Sequence, residues 1–465
     1  MSAGLMAGGM RALPIWTETS PRPPPLWSLS EIAQLRDALT EAPRHGLNGG
    51  PFLAQLDNAP DEVLTRVAQT YARALTSGVV DPREIHRIFT LEMQPAPPGS
   101  GVAIAREAGR LSTWLESLAP QGAGYKALSE ACLRQLARAA DGPAPDIEAS
   151  RPIRPRDRDP RLPAISERLY ERGLLAKPVV SGASYGPALE AAVRRLQREA
   201  GLRLDGIIGP ETIAELNQGP QDRARQLALN LERRRWLQRP APATRIDVNI
   251  AEAVMTYYRE GRPSYRARVV AGAVAHKTPL LSAAFDTLVV NPPWYVPQSI
   301  AETEILPRGR DYLERRDMYV SGGRVIQRPG PGAALGRVKF DMRNPYAIYL
   351  HDTPAKALFA APDRLRSHGC VRVEDAVGFA RRLAGEHGRL DTFEAALASG
   401  ETHTVELGQS IPVRLLYLTA STGPAGAVRF AQDDYGWDER LGERMGLGPS
   451  RLRARLPAAP DLLGP

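Results

Sequence analysis

Apolar positions between residues 26 and 145 recur with a helical period. Leu64, Val67, Ala68, Tyr71 and Leu75 fall on one face of a predicted helix, and Gly78 follows as its stop. A second stripe, Leu189, Ala192, Val193 and Leu196, predicts a helix further on. After it, Asp205-Gly206 predicts a tight turn, Pro210 suits a first helical position, and Glu211 stands where the helix dipole favours an anion. An Arg-rich helix is expected over 222–237. Beyond it the period falls to two: Ile246, Val248 and Ile250 alternate with polar residues, and 266–274, 287–290, 339–340 and 348–350 are rich in strand formers.

These changes of period divide the chain. Residues 1–25 read as a Pro-rich arm, 26–145 as a helical domain and 146–163 as a polar, Pro-rich linker. Residues 164–218 form a small helical unit, 219–440 a mostly β domain and 441–465 a tail. Within the β domain, about 297–336 is rich in Pro, Gly and Arg. A connection of that length inside a compact domain is usually a functional lid. The expected fold class is α+β and multidomain, because 465 residues exceed a single compact core.

Composition narrows the partners. With 43% hydrophobic and 24% charged residues the chain is an ordinary globular protein. A net charge of +8 suits an acidic polymer, whether nucleic acid, anionic lipid or cell-wall glycan, and equally suits arginines on solvated faces. No basic run is interleaved with aromatics, which argues against nucleic acid. No apolar run reaches the roughly 18 to 20 residues that span a bilayer. Residues 1–16 lack a cationic start and a long apolar stretch, so an export signal is not evident.

Two cysteines exclude a disulfide framework. Cys132 shares helical spacing with Leu128 and Leu136 and reads as a buried structural thiol. Cys370 lies in Arg366-Ser-His-Gly-Cys-Val-Arg372 and has three readings: an inert hydrophobe, a metal ligand with His351 and His368, or a nucleophile. The polar neighbours weigh against the first, and the lack of a further Cys or His at ligand spacing against the second. As a nucleophile the thiol needs a base and donors for an oxyanion. His351, at the end of an apolar strand, is favoured as base over His368. The amides of Gly369 and Cys370 are the expected donors, and Arg372 favours a thiolate or binds a carboxylate. Asp352 or a backbone carbonyl orients His351; strand neighbours point to opposite faces, which weighs against the carboxylate. Trp294, Tyr295 and Tyr349 line a cleft beside the thiol or pack in the core. His45, His86, His276, His387 and His403 lack a partner pattern and read as surface or packing residues.

His351-Asp-Thr followed by Ser367-His-Gly-Cys-Val-Arg372 resembles the signature of the L,D-transpeptidases that remodel bacterial peptidoglycan. Asn291-Pro-Pro-Trp294-Tyr-Val-Pro297 and Gln327-Arg-Pro-Gly-Pro-Gly332, with Gly336 and Lys339-Phe340, are similar to the YcbB-like branch. Residues 164–218 resemble a type 1 peptidoglycan-binding domain through Asp205-Gly206 and Gly209-Pro210-Glu-Thr212. The N-terminal helices resemble that branch's scaffold domain through Gly46-Leu-Asn and Gly78-Val-Val-Asp81-Pro82, and Val428-Arg-Phe430 and Asp434-Tyr-Gly-Trp-Asp438 also fit.

The resemblance implies a catalytic β sandwich, with Cys370 as nucleophile, His351 as base and the Gly369 and Cys370 amides as oxyanion hole. Ser367, His368 and Arg372 would support the loop, and the segment before Gly336 would be a capping lid. It further implies no metal or other cofactor, reactivity with carbapenems, and residence in the periplasm. The reaction would form an acyl-enzyme on a donor stem peptide and pass it to an amine of an acceptor stem, joining stem residues three and three or one and three. Partners would be stem peptides and glycan strands, with outer-membrane proteins as a further acceptor class. Two alternatives stand beside it: a carboxypeptidase or endopeptidase using water, and a non-catalytic scaffold binding the wall through 164–218.

Overall fold

Helices fill the first half of the molecule and strands the second, in the order the change of period predicts. The computed structural model describes residues 26–449 apart from 141, 143, 180, 181, 183, 424 and 425; the Pro-rich arm and residues 450–465 of the expected tail lie outside the described residues.

In the N-terminal domain the helix Leu29–Thr40 opens on a reciprocal capping box between Ser28 and Glu31. The helix Asp61–Ser77 buries the predicted stripe and ends at Gly78, whose φ of 91° suits a residue without Cβ. These helices enclose a core that includes Leu35, Leu64, Tyr71, Leu128 and Cys132. The small domain packs Leu162–Glu171, Pro187–Glu199 and Pro210–Leu216 around Ile165, Val193 and Ile213. The segment 146–163 is not a free linker. Ile147 and Ile153 are buried in the same core, and Ile153 exchanges backbone hydrogen bonds with Ile208. Two apolar anchors in a polar, Pro-rich stretch are enough to strap it down.

The Arg-rich helix Pro220–Trp236 is buried along most of its length, so its charges are not a solvated face. Leu227 and Leu231 enter the N-terminal core while Leu229 and Trp236 enter the β core. Glu232 accepts from the amides of Val79 (2.7 Å) and Val80 (2.9 Å), from the Trp236 indole (3.1 Å) and from Arg235 (2.6 Å). Packing thus joins across residue 219 what sequence texture separates.

The β domain contains β1 (Arg245–Asn249), β2 (Val254–Arg259), β3 (Arg262–Gly272), β4 (Ser282–Val290), β5 (Trp294–Tyr295), β6 (Met318–Ser321), β7 (Arg324–Gln327), β8 (Val338–Phe340), β9 (Leu350–His351), β10 (Leu365–Ser367), β11 (Val371–Val373) and β12 (His403–Leu416). Nine of them form one sheet in the order β10-β3-β11-β9-β8-β4-β12-β1-β2, and a further β2–β3 pairing bends it back on itself. The expected lid has a fold of its own. Strands β5, β7 and β6 form a small sheet over a separate core of Trp294, Val296, Ile305, Met318, Val325 and Leu335. A C-terminal helix, Trp437–Arg444, runs through the boundary expected at 441, with Leu441 buried and Met445 and Leu447 packed on the β core. Among the described residues no helix is long and apolar enough to cross a membrane.

Candidate active site

Three adjacent strands set the site. β9 and β11 run parallel with Leu350 level with Val371 and His351 level with Arg372; β8 runs antiparallel with Lys339 opposite His351. Side chains alternate between the two faces of a strand. Lys339, Tyr349, His351, Cys370 and Arg372 therefore share one face, while Leu350 and Val371 fill the core on the other. A hydrogen bond from the Val371 amide to the Tyr349 carbonyl (3.0 Å) locks Cys370 beside β9.

His351 is fully buried, and its Nδ1 lies 2.5 Å from the backbone carbonyl of Asp352. A carbonyl only accepts, so the proton sits on Nδ1 and the Nε2 lone pair is left open. Nε2 has no hydrogen-bond partner among the described residues. Burial, then the Arg372 guanidinium, pushes the imidazole pKa down to about 3, so the ring is neutral at ordinary pH. The Asp352 carboxylate turns elsewhere: it accepts from the Arg337 amide (2.8 Å) and pairs with Lys356. Gly336, at φ 61°, leaves the room that this carboxylate occupies. Between the two expected orienters, the backbone carbonyl holds the ring.

Cys370 is only 6% exposed, and its thiol points to the Ala347 carbonyl (3.5 Å) and the Tyr349 hydroxyl. Burial pushes its pKa up to about 11; hydrogen bonds from Tyr349 and the charges of Lys339 and Arg372 oppose that rise. At neutral pH the resting pair is a thiol and a neutral imidazole rather than an ion pair. Tyr349 stands beside the sulfur with the Lys339 ammonium 4.7 Å from its ring centre, and its ring is 5.6 Å from that of His351.

The nucleophile loop is held from within and from behind. Ser367 Oγ donates to the Cys370 carbonyl (2.6 Å) and accepts from the Gly369 amide (3.1 Å). Of the two expected oxyanion donors, the Gly369 amide is thus engaged within the loop by Ser367 Oγ in this structure. Gly369 has φ 122°, which disfavours a side chain there. From behind, Thr278 Oγ1 donates to the Gly369 carbonyl (2.8 Å) and accepts from the Gly272 amide (2.8 Å). The Thr278 amide donates to the Tyr435 hydroxyl (3.1 Å), which donates to the Gly272 carbonyl. The C-terminal Asp434–Asp438 motif thus supports the loop.

His368 faces the lid rather than the thiol. Its Nε2 is 2.8 Å from Glu304 Oε1, and its ring lies 4.8 Å from that of His276. Trp294 is buried in the lid core, against which Tyr349 also packs. The lid therefore touches the site twice, through Trp294–Tyr349 and Glu304–His368. Sequence reasoning missed Lys339, Glu304, Thr278 and Tyr435 as site residues. For Lys339 the strand alternation was the available signal; the others depend on tertiary register. Of the histidines read as packing or surface, His45 is buried and bonded to Tyr125 (3.2 Å) and Glu116 (3.0 Å). Among the described residues no cluster of His, Cys, Asp or Glu is arranged to hold a metal.

Comparison with known proteins gives three domain matches. Residues 243–405 match the family described as the L,D-transpeptidase catalytic domain, 14–131 a scaffold domain and 158–216 a "Putative peptidoglycan binding domain". A curated Haemophilus influenzae protein named "Putative L,D-transpeptidase" is 32% identical over 240 residues, which make up 46% of this chain and 48% of that protein. The chain thus spans about half the length of that relative. Solved L,D-transpeptidase structures from Xylanimonas cellulosilytica (17% identity, 59% of this chain and 98% of that one, TM-score 0.19) and Stackebrandtia nassauensis (12%, 57% and 97%, 0.23) are also similar. At those TM-scores neither bears on the assignment.

Proposed function

We propose that this chain, whose residues 243–405 match the L,D-transpeptidase catalytic domain and 158–216 a putative peptidoglycan binding domain, is a cell-wall acyltransferase that uses Cys370 as nucleophile and His351 as base. The observation that carries the reading is the open, buried Nε2 of His351 on the same strand face as the Cys370 thiol. Nε2 takes the thiol proton as sulfur attacks the carbonyl of a donor stem peptide. The tetrahedral adduct collapses to a thioester, and the departing amine leaves with the proton held by His351. An amine of an acceptor stem then attacks the thioester, loses its proton to His351 and frees the thiol. The oxyanion is met by the Cys370 amide; Gly369 joins it by exchanging Ser367 Oγ for the new charge. Arg372 and Lys339 offset the negative charge on sulfur.

Cys370 is only 6% exposed, so a peptide reaches it once neighbouring segments move, and the lid, which touches Tyr349 and His368, is the proposed mover. Closure over the thioester then favours an amine held in place over free water, which weighs against the carboxypeptidase reading. Peptidoglycan is the substrate class, and an extracytoplasmic location such as the periplasm follows from it. Incubation with a carbapenem followed by intact mass measurement tests the core of the proposal: an adduct on the parent chain, absent from Cys370→Ala, is expected. Failure of the parent to form any adduct overturns it. Muropeptide analysis after incubation with sacculi separates crosslinked dimers from trimmed monomers and identifies the stem residues joined.

A further inference from the structure

The inner surface of the lid belongs to the thiol site; its outer surface has no role in the scheme above. In the lid sheet β7 lies between β5 and β6, and Ile326 is in register with Tyr295 on one side and Tyr319 on the other. Strand alternation puts these three on one face together with Arg324, two residues away on the same strand, and Arg328, just beyond it. The opposite face, with Trp294, Met318 and Val325, is the lid core. Tyr295 is 61% and Tyr319 37% exposed. The Arg328 guanidinium lies 4.5 Å from the Tyr319 ring centre. Two strand spacings set the tyrosine backbones about 10 Å apart. None of the three strands carries an acidic residue; Asp317, the residue before β6, stands across from Arg328, whose amide donates to its carbonyl (2.9 Å).

The solvent face of a small antiparallel sheet is ordinarily polar. Here it is a row of two phenols and an isoleucine, bordered by two guanidinium groups without a carboxylate on the strands. Such a face suits a ligand that offers flat, hydroxyl-edged rings and negative charge together. We propose that the outer face of the lid is a second peptidoglycan contact, which holds the acceptor glycan strand: the tyrosines stack on sugar rings, and Arg324 and Arg328 pair with stem carboxylates. Charge complementarity selects this occupant over a neutral glycan, since paired guanidinium–carboxylate contacts are the strong ones. The inference rests on the transpeptidase reading of Cys370. It adds that the segment covering the thiol also carries the acceptor.

The test uses the full chain and the double variants Tyr295→Ser/Tyr319→Ser and Arg324→Glu/Arg328→Glu. Carbapenem acylation of Cys370 is expected to keep its parental rate in both, which shows an intact thiol site. With a soluble disaccharide-peptide acceptor, KM is expected to rise about tenfold in each, the effect of one charge-assisted hydrogen bond or more. Removing the sugars from that acceptor is expected to make the tyrosine variant indistinguishable from the parent. Calorimetry with the same disaccharide peptide on Cys370→Ala protein reads binding without turnover, so the platform is tested even where the reaction assignment fails. An unchanged acceptor KM and unchanged binding in both variants overturn the proposal. So does a concentration-dependent dimer that the variants abolish, which would make a second copy the occupant.

Discussion

Glu232 in the junction helix and His351 in the cleft are both fully buried, yet they are built in opposite ways. The Glu232 carboxylate is met by two backbone amides, an indole and a guanidinium, from segments more than 150 residues apart. His351 is fixed at one nitrogen and bare at the other. An unmade buried hydrogen bond costs about 1–3 kcal/mol. The Glu232 carboxylate avoids that cost and His351 Nε2 retains it, which fits the proton exchange proposed for the ring. A bare nitrogen alone does not mark a site. His86 has neither ring nitrogen bonded, yet it sits among Phe89, Trp236 and Trp437 with no nucleophile beside it.

The sharpest way to break this comparison is to exchange the consequences of the two groups. His351→Ala is expected to lower the acylation rate by about 10²–10⁴ while the melting temperature stays near the parental value. A comparable loss of stability would show that the ring is structural. Glu232→Ala is expected to do the reverse: it leaves the Val79 and Val80 amides without their acceptor and Arg235 without its only carboxylate among the described residues, and destabilises by about 3–5 kcal/mol. Denaturant titration reads the loss, and the folded fraction is expected to acylate normally.

Thr278 lies between the extremes, since its hydroxyl belongs to a structural network but ends on the nucleophile loop. Thr278→Val is expected to slow acylation about tenfold through a kcat effect, with Thr278→Ser restoring it; a fall in stability without a rate change would return Thr278 to the structural class.

The smallest effect concerns pH. The raised pKa of Cys370 means that iodoacetamide alkylation is expected to keep climbing above pH 9 toward about 11, where an ordinary thiol has levelled off. Its neutral burial stabilises the fold below pH 9.0, and that contribution is lost as pH rises through about 11. For His351 the sign reverses. Its contribution is complete above the unfolded value of 6.5 and is lost as pH falls through about 3, so no acid limb near 6.5 is expected from this ring.

The helices were legible because their apolar stripes repeat within a single element: Leu64 to Leu75 and Leu189 to Leu196 need no partner to be seen. The candidate thiol and its proposed base were legible because Ser367-His-Gly-Cys and His351 are specific short motifs. What escaped needed the third dimension. The arginines of Pro220–Trp236 look solvated until two cores close on them, and Ile147 and Ile153 look incidental until Ile208 pairs with the second. Ser367 ends β10 and Gly369 lies in the bend that follows, but the direction of one amide depends on a hydroxyl rotamer that no spacing rule encodes. Glu304 gave no signal, because its partner His368 lies 64 residues away.

The burial of a protonated sulfur has one more effect. Thiolates attack peroxides and small disulfides that reach them, and Cys370 at rest offers neither the charge nor the access. Under the proposed reaction the sulfur carries charge only in the interval when substrate has already claimed it, so an oxidant meets no thiolate between turnovers.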